Sequence, residues 1–136
     1  MAGYSGTPLL KKLGIKPGHV MLVLNEPAEY WKWLSPLPEG VVVKEKASAG
    51  VYDFIHLFVK EKKFYEKEVL RCRKNLKQDG MIWVSWPKKS SGVVTDMNED
   101  VIRDFALKNS LVDIKVCAVD EVWSGLKLVI PVKDRK

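Results

Sequence analysis

Residues 19–31 read HVMLVLNEPAEYW: an almost wholly apolar run ending at Leu24, a polar elbow of Asn25, Glu26 and Pro27, then an aromatic-rich segment. A strand with apolar side chains on both faces belongs inside a parallel sheet that is covered on both sides. Pro27 fixes φ near the helical value and suits a helix start, so the spacing predicts a helix from Pro27 through Leu34 that stops before Pro36. Strand, elbow and helix together form the first unit of an α/β domain.

Upstream, Thr7-Pro8-Leu9-Leu10-Lys11-Lys12-Leu13-Gly14 reads as a short helix, with Thr7 as cap, Pro8 at the first turn and Gly14 as the left-handed stop. Lys16-Pro17-Gly18 then suits a type II turn. Downstream, residues 41–45 form a second strand, residues 47–50 break it, and residues 52–59 form a third. From about 63 to 76, Tyr65, Val69, Cys72 and Leu76 fall on one helical stripe, leaving Lys67, Arg71 and Lys74 on wetter faces. Asp79-Gly80 marks a turn into a fourth strand at 81–86, and residues 87–95 form a polar loop.

A helix over 99–108 buries Val101, Ile102, Phe105 and Ala106. Val112, Ile114, Val116 and Ala118 then alternate with Asp113, Lys115 and Cys117. After a turn near Ser124-Gly125, Leu126, Leu128 and Ile130 alternate with Lys127 and Val129. So short a link makes this pair an antiparallel hairpin. The whole predicts one α/β domain over 1–136, with a mostly parallel sheet of about six strands and helices on both faces.

The composition narrows the partners. No apolar run approaches the roughly 20 residues of a membrane helix, and MAGYSGTPLLKK lacks a signal peptide's apolar core, so the cytoplasm is expected and a membrane partner is not. Two cysteines, Cys72 and Cys117, lie far apart and offer neither a zinc spacing nor a disulfide framework; both read as reduced and buried. Lys and Arg outnumber Asp and Glu by 23 to 17, a formal +6 with pI near 9.3. Because the positive residues are mixed with Glu throughout, a solvated basic surface is favoured over a nucleic-acid footprint.

Ligands of such sheets sit at the carboxyl ends of the strands, where strand order reverses. The candidates are Asn25, Glu26, Glu45, Phe58, Lys60, Trp86 and the loop Lys88-Lys89-Ser90-Ser91-Gly92. Glu45 stands 20 residues after Asn25, near the spacing at which an acidic residue grips a ribose, although its neighbours Lys44 and Lys46 also suit a solvated charge. Lys88, Lys89, Ser90 and Ser91 offer ammonium and hydroxyl groups to an anion, without the spacing of a P-loop. His19 and His56 have no nearby sequence partner for metal or nucleophile chemistry and read as structural. Of five tryptophans, Trp83 reads as core, whereas Trp31 and Trp33 cannot both face inward on one short helix, which predicts an exposed aromatic patch for a partner.

LGIKPGHVMLVL, YDFIHLF with its following helix, KNLKQDGMIWVSWP and the terminal hairpin resemble the class I S-adenosylmethionine-dependent methyltransferases. That resemblance implies a Rossmann-like fold over most of the chain, with S-adenosylmethionine held at the elbow after the first strand. More narrowly, GYSGTPL at 3–9 and CAVDEVWSGLKLV at 117–129 resemble a family of short bacterial proteins known only as a domain of unknown function. The departures point away from catalysis. Asn25, Glu26, Pro27 and Ala28 stand where methyltransferases place an acidic residue and glycines, and no glycine occurs between Gly18 and Gly40. One strand-helix unit before Tyr52, used in that family to hold the adenine, is missing. The reading is a shortened methyltransferase-like domain that binds a protein or small ligand without catalysis, with Asn25, Glu26 and Glu45 as a degenerate cofactor site and no cofactor expected. The alternatives are a methyltransferase with an atypical cofactor loop and a basic nucleic-acid binder.

Overall fold

The computed structural model describes residues 8–46 and 48–136; Thr7, most of the GYSGTPL stretch and Ala47 lie outside them. In chain order the elements are α1 (Leu9–Leu13), β1 (Val20–Leu24), α2 (Tyr30–Leu34), β2 (Val42–Val43), β3 (Tyr52–Phe58), α3 (Lys62–Asn75), β4 (Leu76–Pro87), α4 (Glu99–Lys108), β5 (Val112–Ala118) and β6 (Trp123–Val129). They build one six-stranded sheet of order β2-β1-β3-β4-β6-β5. The first four strands of that order run parallel, and β6 is antiparallel to both β4 and β5. The expected α/β architecture, Rossmann-like with a terminal antiparallel hairpin, is the observed one.

Each face of the sheet has its own apolar cluster. On one, Tyr65, Val69 and Cys72 of α3 and Ile102 and Ala106 of α4 cover Ile55, Leu57, Ile82, Val84, Leu126 and Leu128. Tyr65 donates its hydroxyl to the Ile102 carbonyl at 2.8 Å, joining the two helices. On the other face, Leu9 and Leu13 of α1 and Tyr30 and Leu34 of α2 cover Met21, Phe54, Phe58 and Trp83. Trp83 Nε1 donates to the Leu13 carbonyl at 2.8 Å, occupying a helix-end acceptor that the first helix leaves open. Gly14 closes α1 at φ 80, and Gly18, at φ 78 with the His19 N–H on the Lys16 carbonyl, makes the expected type II turn.

Four local expectations are corrected. The second strand is only Val42–Val43, so Glu45 lies beyond it in irregular chain. Asp79-Gly80 makes no reverse turn: β4 starts at Leu76, directly after α3, and a register shift against β3 absorbs the kink. A side chain at Gly80 would meet Leu76 Cδ1 at 2.7 Å and the Tyr52 carbonyl at 2.9 Å, so glycine there serves close approach. The hairpin turns before Trp123, with Ser124 and Gly125 inside β6, because Asp120 Oδ1 accepts the N–H groups of Val122 and Trp123 and closes the loop early. Finally, β5 does not alternate throughout: its register against β6 shifts between Asp113 and Lys115. That bulge at Ile114 sends Asp113 and Lys115 to opposite faces.

Candidate ligand-binding site

The chain leaves β1 for β2 on one side of the sheet and returns to β3 on the other, so strand order reverses between β1 and β3. Asn25 follows β1 there at φ 60, a left-handed conformation that Asn tolerates and that a glycine would otherwise supply. The Tyr30 N–H donates to the Pro27 carbonyl at 3.0 Å, and α2 begins at Tyr30 rather than at Pro27. Glu26 projects from this elbow, and its Oε2 accepts the Trp31 indole N–H at 3.2 Å.

Two open cavities meet at Glu26. The larger, about 770 Å³, lies at the carboxyl ends of β1 and β2 and is lined by Val23, Glu26, Trp31, Val43 and the run Lys44, Glu45, Lys46. The second, about 540 Å³, lies at the reversal itself, between Asn25, Glu26 and Pro27 on one side and Phe58, Lys60, Glu61, Phe64 and Trp123 on the other. The first presents an indole, two valines, two carboxylates and two lysines, a set in which the indole and valines suit a flat heterocycle and the carboxylates its hydroxyls. The second is aromatic, with Trp123 edge-on to Phe58 at a centroid distance of 5.0 Å.

Beneath Phe58 lies a buried polar relay. His56 stacks against Phe58 at 4.3 Å, and its ring nitrogens face the Tyr30 hydroxyl at 2.9 Å and Ser85 Oγ at 2.8 Å. A Ser–His contact of that length has the outline of a nucleophile and its base. Here, however, His56, Ser85 and Tyr30 are wholly buried, and burial holds the imidazole pKa down to about 3. Burial, with the Glu26 charge as a smaller cause, pushes the Tyr30 phenol well above its ordinary value. A neutral imidazole between two hydroxyls is a fully satisfied core element that holds α2, β3 and β4 in register. The structural reading of His56 stands, although its partners come from 26 and 29 residues away. His19 caps a turn, its Nδ1 accepting the Lys16 N–H at 3.2 Å.

The fold brings Glu26, Glu45 and Trp31 together at the first cavity and Asn25, Glu26, Phe58 and Lys60 at the second. Trp86 is only 8% exposed, in the core under α3 and α4, so it offers no ligand surface. Neither cavity is lined by Lys88, Lys89, Ser90 or Ser91. Ser91 donates its hydroxyl to the Lys88 carbonyl at 2.7 Å and accepts the Val93 N–H at 3.2 Å, so it stabilises its own loop. Trp31 and Trp33 are both half-buried against the α1 and α2 cluster, rather than forming an exposed pair. Trp123, Glu61 and Phe64 were missed; the signal for Trp123 was Asp120, whose side-chain turn places the tryptophan at the head of β6.

The fold is that of S-adenosylmethionine-dependent methyltransferases. A SAM-dependent methyltransferase from Aquifex aeolicus matches with a TM-score of 0.67 at 13% identity, over 90% of this chain and 87% of that one. The B. subtilis tRNA methyltransferase TrmK matches with a TM-score of 0.60 at 12% identity, over 97% and 69%. The magnesium protoporphyrin IX methyltransferase of Synechocystis, solved with bound SAM, matches with 0.57 at 9% identity, over 89% and 74%. No family model and no curated protein matches the chain. Among the described residues no helix is long and apolar enough to cross a membrane.

Proposed function

We propose that this chain is a small-ligand-binding module on the methyltransferase fold, that its ligand carries an adenosine-like group, and that it is not itself a methyl-transfer catalyst. The observation that carries the reading is the meeting of the two cavities at Glu26, on the carboxyl ends of β1, β2 and β3 where strand order reverses. Trp31, Val23 and Val43 supply flat apolar walls for a base, and Glu45 supplies an acceptor for ribose hydroxyls.

S-adenosylmethionine fits this arrangement in part. Its adenosyl end suits the Trp31 and Glu45 cavity. Its amino-acid end would lie along the elbow, where Pro27 has no N–H to donate and Glu26 opposes a ligand carboxylate. Where the residues do accept it, the cofactor would supply an activated methyl group. A second reading, a working transferase, draws support from Asn25, whose left-handed backbone opens the elbow without a glycine.

Calorimetric titration with S-adenosylmethionine, S-adenosylhomocysteine and adenosine tests the proposal. Binding of the adenosine compounds near the micromolar range, about −8 kcal/mol, with loss in Trp31→Ala and Glu45→Gln, is the expected result. Silence up to millimolar ligand overturns it. Conversion of bound S-adenosylmethionine to the demethylated product with a catalogue of small acceptors overturns the noncatalytic part alone.

A further inference from the structure

The lysines that look dispersed along the chain converge on one face. Lys11 and Lys12 end α1, Lys16 opens the next turn, and Lys115 and Lys127 stand directly opposite each other on β5 and β6. Lys127 pairs with Trp83 on its other side, which places both hairpin lysines on the α1 face of the sheet. Lys115 Nζ donates to the Lys12 carbonyl at 3.3 Å, bringing strand and helix charges together. Burial lowers the Lys127 pKa, and the neighbouring charges of Lys115 and Lys16 lower it further, as expected where ammonium groups crowd.

Residues 9–18 contain no acid, and the single acid of β5 and β6, Asp113, is turned by the bulge to the opposite face, where it binds Arg103 at 3.0 Å. Among the described residues, Lys16, Lys115 and Lys127 make no ion pair. Like charges directly opposite across a strand pair cost stability, so the arrangement is one that an external anion would relieve. Neither Glu26 cavity is lined by these lysines, and their spread over the end of α1, the following turn and both hairpin strands suits an extended anion. Trp123 lies on the same side of β6, four residues or about 13 Å from Lys127, and it is half-exposed.

We propose that the α1 face of the hairpin, centred on Lys16, Lys115 and Lys127 and flanked by Trp123, is a binding surface for a nucleic-acid strand. The ammonium groups meet successive phosphates, and the indole offers a platform for a base. This inference does not require a cofactor in the Glu26 cavities and stands or falls separately from that reading.

Anisotropy of fluorescein-labelled oligonucleotides of about 20 nucleotides, single-stranded and duplex, titrated with the full chain between about 50 and 200 mM salt, tests it. The wild type is expected to bind with a salt-dependent affinity. The triple variant Lys16→Gln, Lys115→Gln, Lys127→Gln should lose at least tenfold, with the log–log salt slope smaller by about 2, as for three single-strand phosphate contacts. A control triple of equal charge change on the other face, Lys63→Gln, Lys67→Gln, Lys108→Gln, should lose less than threefold. Circular dichroism confirms that both variants fold. Equal losses in the two triples would reduce the effect to net charge and overturn the proposal, as would absence of binding by the wild type. Inorganic polyphosphate or anionic vesicles bound as tightly as the oligonucleotide, through the same lysines, would overturn the nucleic-acid assignment.

Discussion

The Tyr30 hydroxyl lies 2.9 Å from Nδ1 of His56, joining the helix after the elbow to the strand at which sheet order reverses. Through His56 Nε2 the contact continues to Ser85 on β4 at 2.8 Å, so three elements that shape the candidate site share one buried polar chain. With the imidazole pKa held near 3 by burial, the native state keeps His56 neutral well below the range in which an unfolded histidine takes its proton.

That relation predicts an acid-sensitive fold. The folded pKa is depressed, so the unfolded state binds the extra proton first. Stability is complete above about pH 6.5 and declines at roughly 1.4 kcal/mol per unit as pH falls toward about 3. Asp53, which accepts the Val20 N–H at 2.8 Å and pairs with Lys77 at 3.1 Å, adds loss only further down. Burial works to raise the Asp53 pKa, but those two partners hold it below the carboxylate norm. Urea unfolding of His56→Gln should show lower stability at neutral pH, by about 1–3 kcal/mol, and a flatter dependence between pH 6.5 and 4. An unchanged slope would assign the acid sensitivity elsewhere.

At the elbow, Asn25 occupies the left-handed region without a glycine. Asn25→Gly should leave stability within about 0.5 kcal/mol of wild type, whereas Asn25→Val should cost about 1–2 kcal/mol. Thermal denaturation distinguishes them; equal stability of the two variants would mean that the turn relaxes.

Glu26 separates the two cavities and holds Trp31 by its indole N–H. Replacing it with Gln keeps an acceptor and removes the charge. Titration calorimetry should therefore show tighter S-adenosylhomocysteine binding, by several-fold, with adenosine affinity unchanged, since only the former brings a carboxylate to the elbow. A parallel gain for both ligands would show that the charge does not discriminate between them.

Lys115 and Lys127, opposed across the hairpin, are expected to weaken it. Lys127→Gln alone should stabilise the free protein by about 0.2–1 kcal/mol at low ionic strength, an advantage that salt removes. Denaturant midpoints at low and high salt decide it; destabilisation at both would show that the Lys127 stem contributes more by packing than its charge costs.

Much of the architecture was legible along the chain, and particular residues show why. The stripe of Tyr65, Val69 and Cys72 and the α4 positions Ile102 and Ala106 follow helical periodicity, and the apolar run before Asn25 marks a strand covered on both faces. Boundaries failed where a local signal was overridden by neighbours. Asp79-Gly80 reads as a turn, but the glycine is there because Leu76 and the Tyr52 carbonyl crowd it. Ser124-Gly125 reads as a turn too, yet the Asp120 side chain closes the hairpin first, and Gly125 sits where a Cβ would meet Trp83 at 3.1 Å. For the candidate site, the rule of strand carboxyl ends named Asn25, Glu26, Glu45, Phe58 and Lys60, which the fold sets around the two cavities, and also Trp86, which the helices bury.

By itself the sequence determined the class of fold, through periodic burial and the proline and glycine positions that end each element, because those are local properties of the chain. Which charges act together was decided by the tertiary structure. Lys115 and Lys127 stand among Asp113, Asp120 and Glu121 in sequence, yet strand register sets the two lysines against each other, and one bulge at Ile114 removes Asp113 to Arg103 on the far face. Side chains on a strand alternate faces only while the ladder is regular, so a single extra residue re-sorts the charges in a way that composition cannot reveal.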